Sequence, residues 1–266
     1  MSSKISVVMG IYNCANTLEE AIDSLLNQTY TNWNLIMCDD GSTDDTYSVA
    51  KRYKELYPDK IILIRNKQNI GLNYTLNHCL KYANGEYIAR MDGDDISLPE
   101  RFEKEVDFLD NHPQYSIVST PMIHFDEFGE FRKGIGNGEP RLNSFAKGTP
   151  FCHAPCMVRR EAYEAAGGYS VSKQRLRVED WDLWIRMYEK GYKGYVLEQP
   201  LYMMRDDRNA YSRRKFKYRI NEIRVVFMAI KLLKLPKRKY IWAFRPFVAG
   251  ITPRFIYNIV HKRNLK

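Results

Sequence analysis

The sequence predicts an α/β fold on a mostly parallel sheet. Three observations carry that reading. Apolar strands alternate with amphipathic helices through the first four units; a polar cluster stands at the end of each of the four strands; and the alternation gives way to shorter, irregular strands after residue 112. Ile5–Met9 is a short apolar strand, and Asn16 or Thr17 caps a helix with Leu18, Ile22, Leu25 and Leu26 on one face. Trp33–Cys38 is a second strand. It ends in Asp39-Asp40-Gly41-Ser42, and a helix runs from about Thr43 to Leu56, with Ser42, Thr43 and Asp44 all suited to capping it. Ile61–Ile64 is the third strand, Gly71–Tyr82 a helix closed by Asn84-Gly85, and Glu86–Met91 the fourth strand. Pro99–Asn111 reads as a helix with Phe102, Val106 and Leu109 on one side. Short strands follow between Tyr115 and Phe131, then a Gly-rich loop, Lys133–Asn143, which is either a mobile cover or a connection. Helices over Arg159–Ala166 and Glu179–Glu189, and strands at Tyr195–Leu197 and Leu201–Met204, complete an α+β second half.

In open parallel sheets, ligands bind outside the carboxyl ends of the strands. Tyr12-Asn13, Asp39-Asp40, Arg65-Asn66-Lys67 and Asp92-Gly93-Asp94-Asp95 each follow one of the four strands, so all four are expected at one crevice. The stretch ARMDGDD is the most demanding of them. Three carboxylates within four residues repel one another unless a cation sits there, and hard divalent ions such as Mg²⁺ favour such oxygens together with substrate phosphates. Gly93 is expected to let the backbone turn so that the carboxylates face one site; a solvated acidic turn would look the same. The spacing also fits a haloacid-dehalogenase-type phosphatase, but Ile96 stands where that motif needs Thr.

Asp39 or Asp40 suits a ribose hydroxyl or a base N–H, while the same stretch would also serve as a turn and cap. No Gly-x-x-x-x-Gly-Lys-Ser/Thr or Gly-x-Gly-x-x-Gly loop is present, so glycine-loop cradling of phosphates is excluded and a metal is left to do that work. Glu179-Asp180-Trp181-Asp182 opens a helix. Acids there suit the helix dipole, and an Asp beside Trp near a sugar is equally a candidate general base. His153, between Cys152 and Cys156 in a Pro-bounded loop, reads as an active-site wall or as a structural histidine; zinc lacks a second ligand pair at finger spacing.

In order and spacing, SVVMGIYN, CDDGSTDDT, ARMDGDDISLP and VEDWDLWIRM resemble the motifs of family 2 glycosyltransferases. The resemblance implies a Rossmann-like A-type glycosyltransferase fold, with residues 1–112 binding a nucleotide-sugar, residues 113–211 binding the acceptor, and 212–266 as a basic helical extension. Carried onto this chain, it implies that Tyr12 and Asp40 (or Asp39) contact base and ribose, with Asn13 and Lys67 in the same donor site. Asp92 would hold ribose or metal, Asp94 would ligate Mn²⁺ or Mg²⁺ across the diphosphate, and Asp95 would support them. Asp180 would be the catalytic base of an inverting displacement, with Glu179, Trp181 and His153 around the acceptor. Processive members carry Gln-x-x-Arg-Trp after the Glu-Asp pair. Here only Gln174-Arg175-Leu176-Arg177 occurs, upstream and without Trp, which implies transfer of a single sugar. MGIYNC, LNHCL, FDEFG and AKGTPFCH are similar, more narrowly, to the biofilm exopolysaccharide-operon glycosyltransferases of the flagellar-clutch type. That narrower likeness implies a lipid-linked or surface-polysaccharide acceptor and admits a possible protein partner. The second reading, from another class, is a partner-binding protein that uses this fold with catalysis secondary.

The net charge of +9 is unevenly distributed. From Arg213 onward there are 16 Lys and Arg against the single acid Glu222, leaving 25 bases and 31 acids before it. Ile220, Ile223, Phe227, Ile230 and Leu233 form a helical stripe. The aromatic stretch Tyr240–Val260 contains Arg245, Pro246, Pro253 and Arg254, a poor membrane span but a fit for an anionic membrane surface. A helical flap packed on the body would show the same pattern. No nucleic-acid partner is expected, since charge alone favours one and no module motif does. The N-terminus runs straight into a strand without an apolar h-region, and five scattered cysteines fit reduced thiols. The expected location is cytoplasmic, peripheral to the inner face of the cell membrane.

Overall fold

The computed structural model describes residues 3–136, 138–206 and 216–251. Strands β1 (Ile5–Ile11), β2 (Trp33–Asp39), β3 (Ile61–Arg65) and β4 (Tyr87–Arg90) lie parallel in the order β4-β1-β2-β3. Helices α1 (Ala15–Leu26), α2 (Thr46–Leu56) and α3 (Leu72–Leu80) make the connections. The chain steps outward from β1 to β3, then returns to set β4 on the opposite flank of β1. The switch point between β1 and β4 is therefore where an open α/β sheet presents its crevice.

The sheet is covered on both faces. Along β1, Val8 joins one apolar layer while Ile5, Val7, Met9 and Ile11 join the other, the period-two division expected of a strand. Burial on both sides explains why these strands read as unbroken apolar runs.

The second half adds β5 (Ile96–Ser97), α4 (Arg101–Asn111), β6 (Ile117–Ser119), β7 (Met122–Asp126), β8 (Gly129–Lys133), β9 (Met157–Arg159), α5 (Arg160–Ala166), α6 (Glu179–Glu189), β10 (Gly194–Val196) and β11 (Tyr202–Arg205). The large sheet has the order β10-β6-β9-β4-β1-β2-β3, and a smaller one has the order β5-β11-β7-β8. β9 runs antiparallel to both β4 and β6, so residues of the second half are stitched beside the central strands of the first. Arg101 and Glu105, on α4, form a fully buried ion pair at 3.2 Å; Arg101 Nη2 also donates to the carbonyls of Arg90 (3.0 Å) and Cys156 (3.4 Å). That guanidinium clamps the end of β4 to the residue before β9.

Several local expectations are corrected. Asn16 and Thr17 lie inside α1, whose N-cap is Cys14; the Thr17 hydroxyl bonds the Gly93 carbonyl at 2.9 Å instead of capping. α2 begins at Thr46 rather than Thr43, because Thr43 N–H donates to Asn13 Oδ1 (2.9 Å) and Asp44 accepts from Thr46 N–H (3.0 Å). β9 (Met157–Arg159) was not predicted, and it takes the first residue of the predicted Arg159–Ala166 helix. The Lys133–Asn143 loop is a connection where it is described: Gly138 pairs with Val196.

The C-terminal segment contributes α7 (Phe216–Leu232), a 3₁₀ turn Lys237–Ala243 and α8 (Phe244–Ile251). α7 packs on the body through Val225, Val226, Ala229, Ile230 and Leu233, beside Trp184 and Phe145. The predicted stripe is thus partly wrong: Ile220 and Phe227 are 40% and 49% exposed, since the smaller Val226 and Ala229 let the helix approach on a rotated face. A fully buried Val or Ile side chain contributes about 1.5–3 kcal/mol, enough to make α7 part of the core. Phe255, Ile256 and Ile259 of the predicted aromatic stretch lie outside the described residues. Among the described residues no helix is long and apolar enough to cross a membrane.

Candidate active site

The loops after β1, β2 and β3 are hydrogen-bonded into one unit. Asn13, held at φ 48°, accepts from Thr43 N–H and donates its own N–H to Ser42 Oγ (3.1 Å). Asp39 is fully buried; its Oδ1 accepts from Ser42 N–H (3.1 Å) and its Oδ2 pairs with Arg65 Nε (2.8 Å). Asp40 Oδ1 accepts from Asn66 Nδ2 (2.9 Å) and Ile70 N–H (3.0 Å), and Oδ2 from Gly71 N–H (2.9 Å). Both carboxylates therefore fix the loops, and Asp40 has the fuller set of internal partners. Gly41, at φ +72°, is required there, since a Cβ would stand 2.7 Å from the Gln68 backbone. Tyr12 is 46% exposed at the end of β1, and Lys67 is exposed at the end of β3.

The fourth loop joins this unit through Thr17 and Gly93. Gly93 is needed for space and not for its turn: a Cβ would meet Cys14 Sγ at 2.9 Å and Ile11 Cγ2 at 3.1 Å. Oxygens of Asp92, Asp94 and Asp95 lie within 4.8 Å of one another. Asp92 Oδ1 accepts from Arg90 Nη2 (2.6 Å), and Asp95 Oδ1 from Arg205 N–H (2.8 Å). Asp94 is the most exposed of the three, yet desolvation by its surroundings and then the Asp92 charge raise its pKa. Burial, followed by the Asp92 and Asp94 charges, pushes Asp95 up to about 8. Mutual repulsion of hard oxygen donors in a partly dry pocket fits a divalent cation.

Asp180 opens α6. Burial and then the Glu179 charge push its pKa up to about 6, against the pull of the Trp181 backbone N–H, Arg90 and the Thr149 hydroxyl. Trp181 is buried and donates Nε1–H to the Phe145 carbonyl (2.9 Å); Glu179 Oε2 is buried with no hydrogen-bond partner among the described residues. His153 is half-buried. Its Nε2 bonds the Tyr169 hydroxyl (2.9 Å), and burial, helped by the Arg90 charge, holds its pKa well below the imidazole range. Its ring lies 5.4 Å from that of Tyr169 and 6.0 Å, edge-on, from that of Trp184.

Arg90 was not singled out from the sequence. It is 4% exposed, pairs with Asp92, has an unpartnered Nε, and lies within electrostatic reach of Asp94 and Asp180. A cleft of about 360 Å³ surrounds Asp180, walled by Lys147, Thr149, Arg177 and Trp181 and, from the C-terminal segment, by Arg219, Trp242 and Arg245.

The model of glycosyl transferase family 2 matches residues 6–167. The chain belongs to glycosyltransferase family 2. It is 47% identical to EpsE of Bacillus subtilis (strain 168) over 262 residues, 98% of this chain and 94% of that one, in keeping with the narrower resemblance of the short stretches above. Among solved structures, this glycosyltransferase superposes on Staphylococcus aureus TarS 1-349 in complex with UDP-GlcNAc with a TM-score of 0.67 at 17% identity, covering 94% of this chain and 82% of that one. It also superposes on the mannosyltransferase PcManGT from Pyrobaculum calidifontis in complex with GDP-Man and Mn²⁺, TM-score 0.65 at 18% identity, covering 99% and 80%. The fold is the A-type glycosyltransferase fold expected from the motifs.

Proposed function

We propose that this family 2 enzyme moves one sugar, with inversion, from a UDP-sugar to a lipid-linked or surface-polysaccharide acceptor in exopolysaccharide or capsule synthesis. The observation that carries the reading is the carboxylate trio at the switch point, with Arg90 in electrostatic reach of both Asp94 and a half-buried Asp180. Tyr12 stacks on the base, and the Asp39–Asp40 loop with Asn13 and Lys67 borders the nucleotide. Asp92 and Asp94 hold Mn²⁺ or Mg²⁺, with Asp95 behind them. A bound divalent ion neutralises the charge of the departing diphosphate. Asp180 takes the proton of the acceptor hydroxyl while the new glycosidic bond forms and the sugar–phosphate bond breaks. The raised pKa strengthens Asp180 as a base and leaves it ionised above about pH 6.

Exposed Ile241, Phe244, Phe247 and Val248, on a segment that also carries Lys237, Arg238, Lys239 and Arg245, suit docking on an anionic leaflet and a peripheral location on the cytoplasmic face.

Calorimetric titration of UDP with and without Mn²⁺ tests the donor site. Wild type should bind only with the metal, and Asp94→Ala should lose at least about tenfold in affinity, the loss of roughly 1.4 kcal/mol. Metal-independent binding that survives in Asp94→Ala would refute the assignment.

A further inference from the structure

The cleft around Asp180 is strongly cationic, and most of that charge is unmatched by carboxylates among the described residues. Lys147, Arg177, Arg219 and Arg245 line it against Asp180 and Glu222. Glu222 is taken by Arg219, whose Nη1 is 3.1 Å from both carboxylate oxygens. Lys147, Arg177 and Arg245 have no carboxylate within ion-pair distance among the described residues. Lys147 Nζ instead sits 4.7 Å above the Trp242 ring, and Arg245 spends one of its donors on the Lys147 carbonyl (3.0 Å). Arg177 is held at φ 68°, a conformation that L side chains avoid and that is stored preferentially at functional sites. It stands three residues before Asp180, where the N-terminus of α6 adds further positive potential.

Lys147, Arg177 and Arg245 thus stand in the Asp180 cleft without a carboxylate partner, an excess of positive charge that an anion on the substrate would match. We infer that this cleft holds a phosphate or diphosphate borne by the acceptor, gripped by Arg177, Arg245 and Lys147 with Trp242 beside it, so that the acceptor hydroxyl is presented to Asp180. The inference rests on the reading of Asp180 as the acceptor-side base. The volume of about 360 Å³ accommodates a phosphorylated sugar. Two of the gripping elements, Trp242 and Arg245, come from the segment that exposes Ile241, Phe244, Phe247 and Val248. A diphosphate on a prenyl chain and a soluble sugar phosphate share the chemistry required.

The test is metal-free titration, with EDTA present, of farnesyl diphosphate, N-acetylglucosamine 1-phosphate and the uncharged alcohol farnesol. Wild type should bind one or both phosphates and not farnesol. Preference for farnesyl diphosphate assigns the group to a lipid carrier; equal binding of the sugar phosphate assigns it to a soluble or polymer-borne acceptor. The double variant R177Q/R245Q should bind about tenfold more weakly or worse, whereas K231Q/K234Q, which removes the same charge from exposed positions of the C-terminal segment, should match wild type. Failure of wild type to bind either phosphate, or an equal loss in both double variants, would overturn the inference. An equal loss of Mn²⁺-dependent UDP binding in R177Q/R245Q would assign the cations to the donor and overturn it too. UDP with Mn²⁺ is titrated into wild type alongside: loss of that binding indicts the donor reading, and loss of phosphate binding alone indicts only this one.

Discussion

Replacing Arg101 by Met should destabilise the protein in a pH-dependent way. The side chain is fully buried, its Nε is 3.2 Å from Glu105 Oε2, and its ring of partners includes the backbone carbonyls of Arg90 and Cys156. Methionine fills much of the same volume but leaves the Glu105 carboxylate in an apolar layer. Removing one partner of a buried pair costs about 3–5 kcal/mol. Even with Arg101 present, burial outweighs the pair and lifts Glu105 from 4.5 to about 7. Without the guanidinium it rises further. The folded state of the variant then holds a proton that the unfolded state gives up above its ordinary carboxyl pKa. Stability consequently falls with rising pH across that window, by at most about 1.4 kcal/mol per unit. Urea denaturation at pH 5 and pH 8 reads this directly. R101M should lose about 3–5 kcal/mol relative to wild type at pH 8 and clearly less at pH 5, while R101M/E105L should recover most of the loss at both. A cost that is the same at both pH values, or below about 1 kcal/mol at pH 8, would refute the reasoning.

Asp180→Asn should abolish transfer while sparing Mn²⁺-dependent UDP binding, as steady-state turnover beside calorimetry would reveal. For wild type, only ionised Asp180 can accept the proton, so kcat/KM should fall about tenfold per pH unit below about 6 and flatten above it; an acid limb absent down to pH 5 would exclude Asp180 as the base. Gly41→Ala should cost about 1–3 kcal/mol, measured by thermal melting, because both its φ of +72° and the Gln68 backbone oppose a Cβ. Sedimentation with anionic vesicles should capture the protein at low salt and release it progressively as screening rises, with each basic residue near the surface worth about 1 kcal/mol; neutral vesicles that capture it equally well would contradict that docking mode.

The first four strands were legible because each is apolar on both faces and ends in polar residues, so position in the fold and chemistry of the site are written in the same few letters. The carboxylate trio was legible for the same reason. Arg90 was not: a charged residue inside IARMD looks like a strand residue reaching water, and only burial against Asp92 and the approach of Asp180 reveal its place. Arg101 and Glu105 stand at i and i+4, the spacing of an ordinary exposed helix pair, and nothing local distinguishes a buried one. β9 has three residues and runs against its neighbours, too short for a periodic signal. The face of α7 was misjudged because large side chains drew the stripe, whereas close packing selected Val226 and Ala229. Asp40 illustrates a different limit, since a loop-bracing carboxylate and a ligand-reading one have the same sequence signature.

The late insertion of β9 shapes how a ribosome must deliver this protein. β4 pairs with β1 through residues that are all synthesised by position 90, but its other edge is completed only by Met157–Arg159. At about 5–20 residues per second the nascent first half waits several seconds before the strand that completes that edge is made. A fragment stopped at residue 112 lacks β9 altogether and leaves that edge of β4 bare, an open template for pairing with other chains.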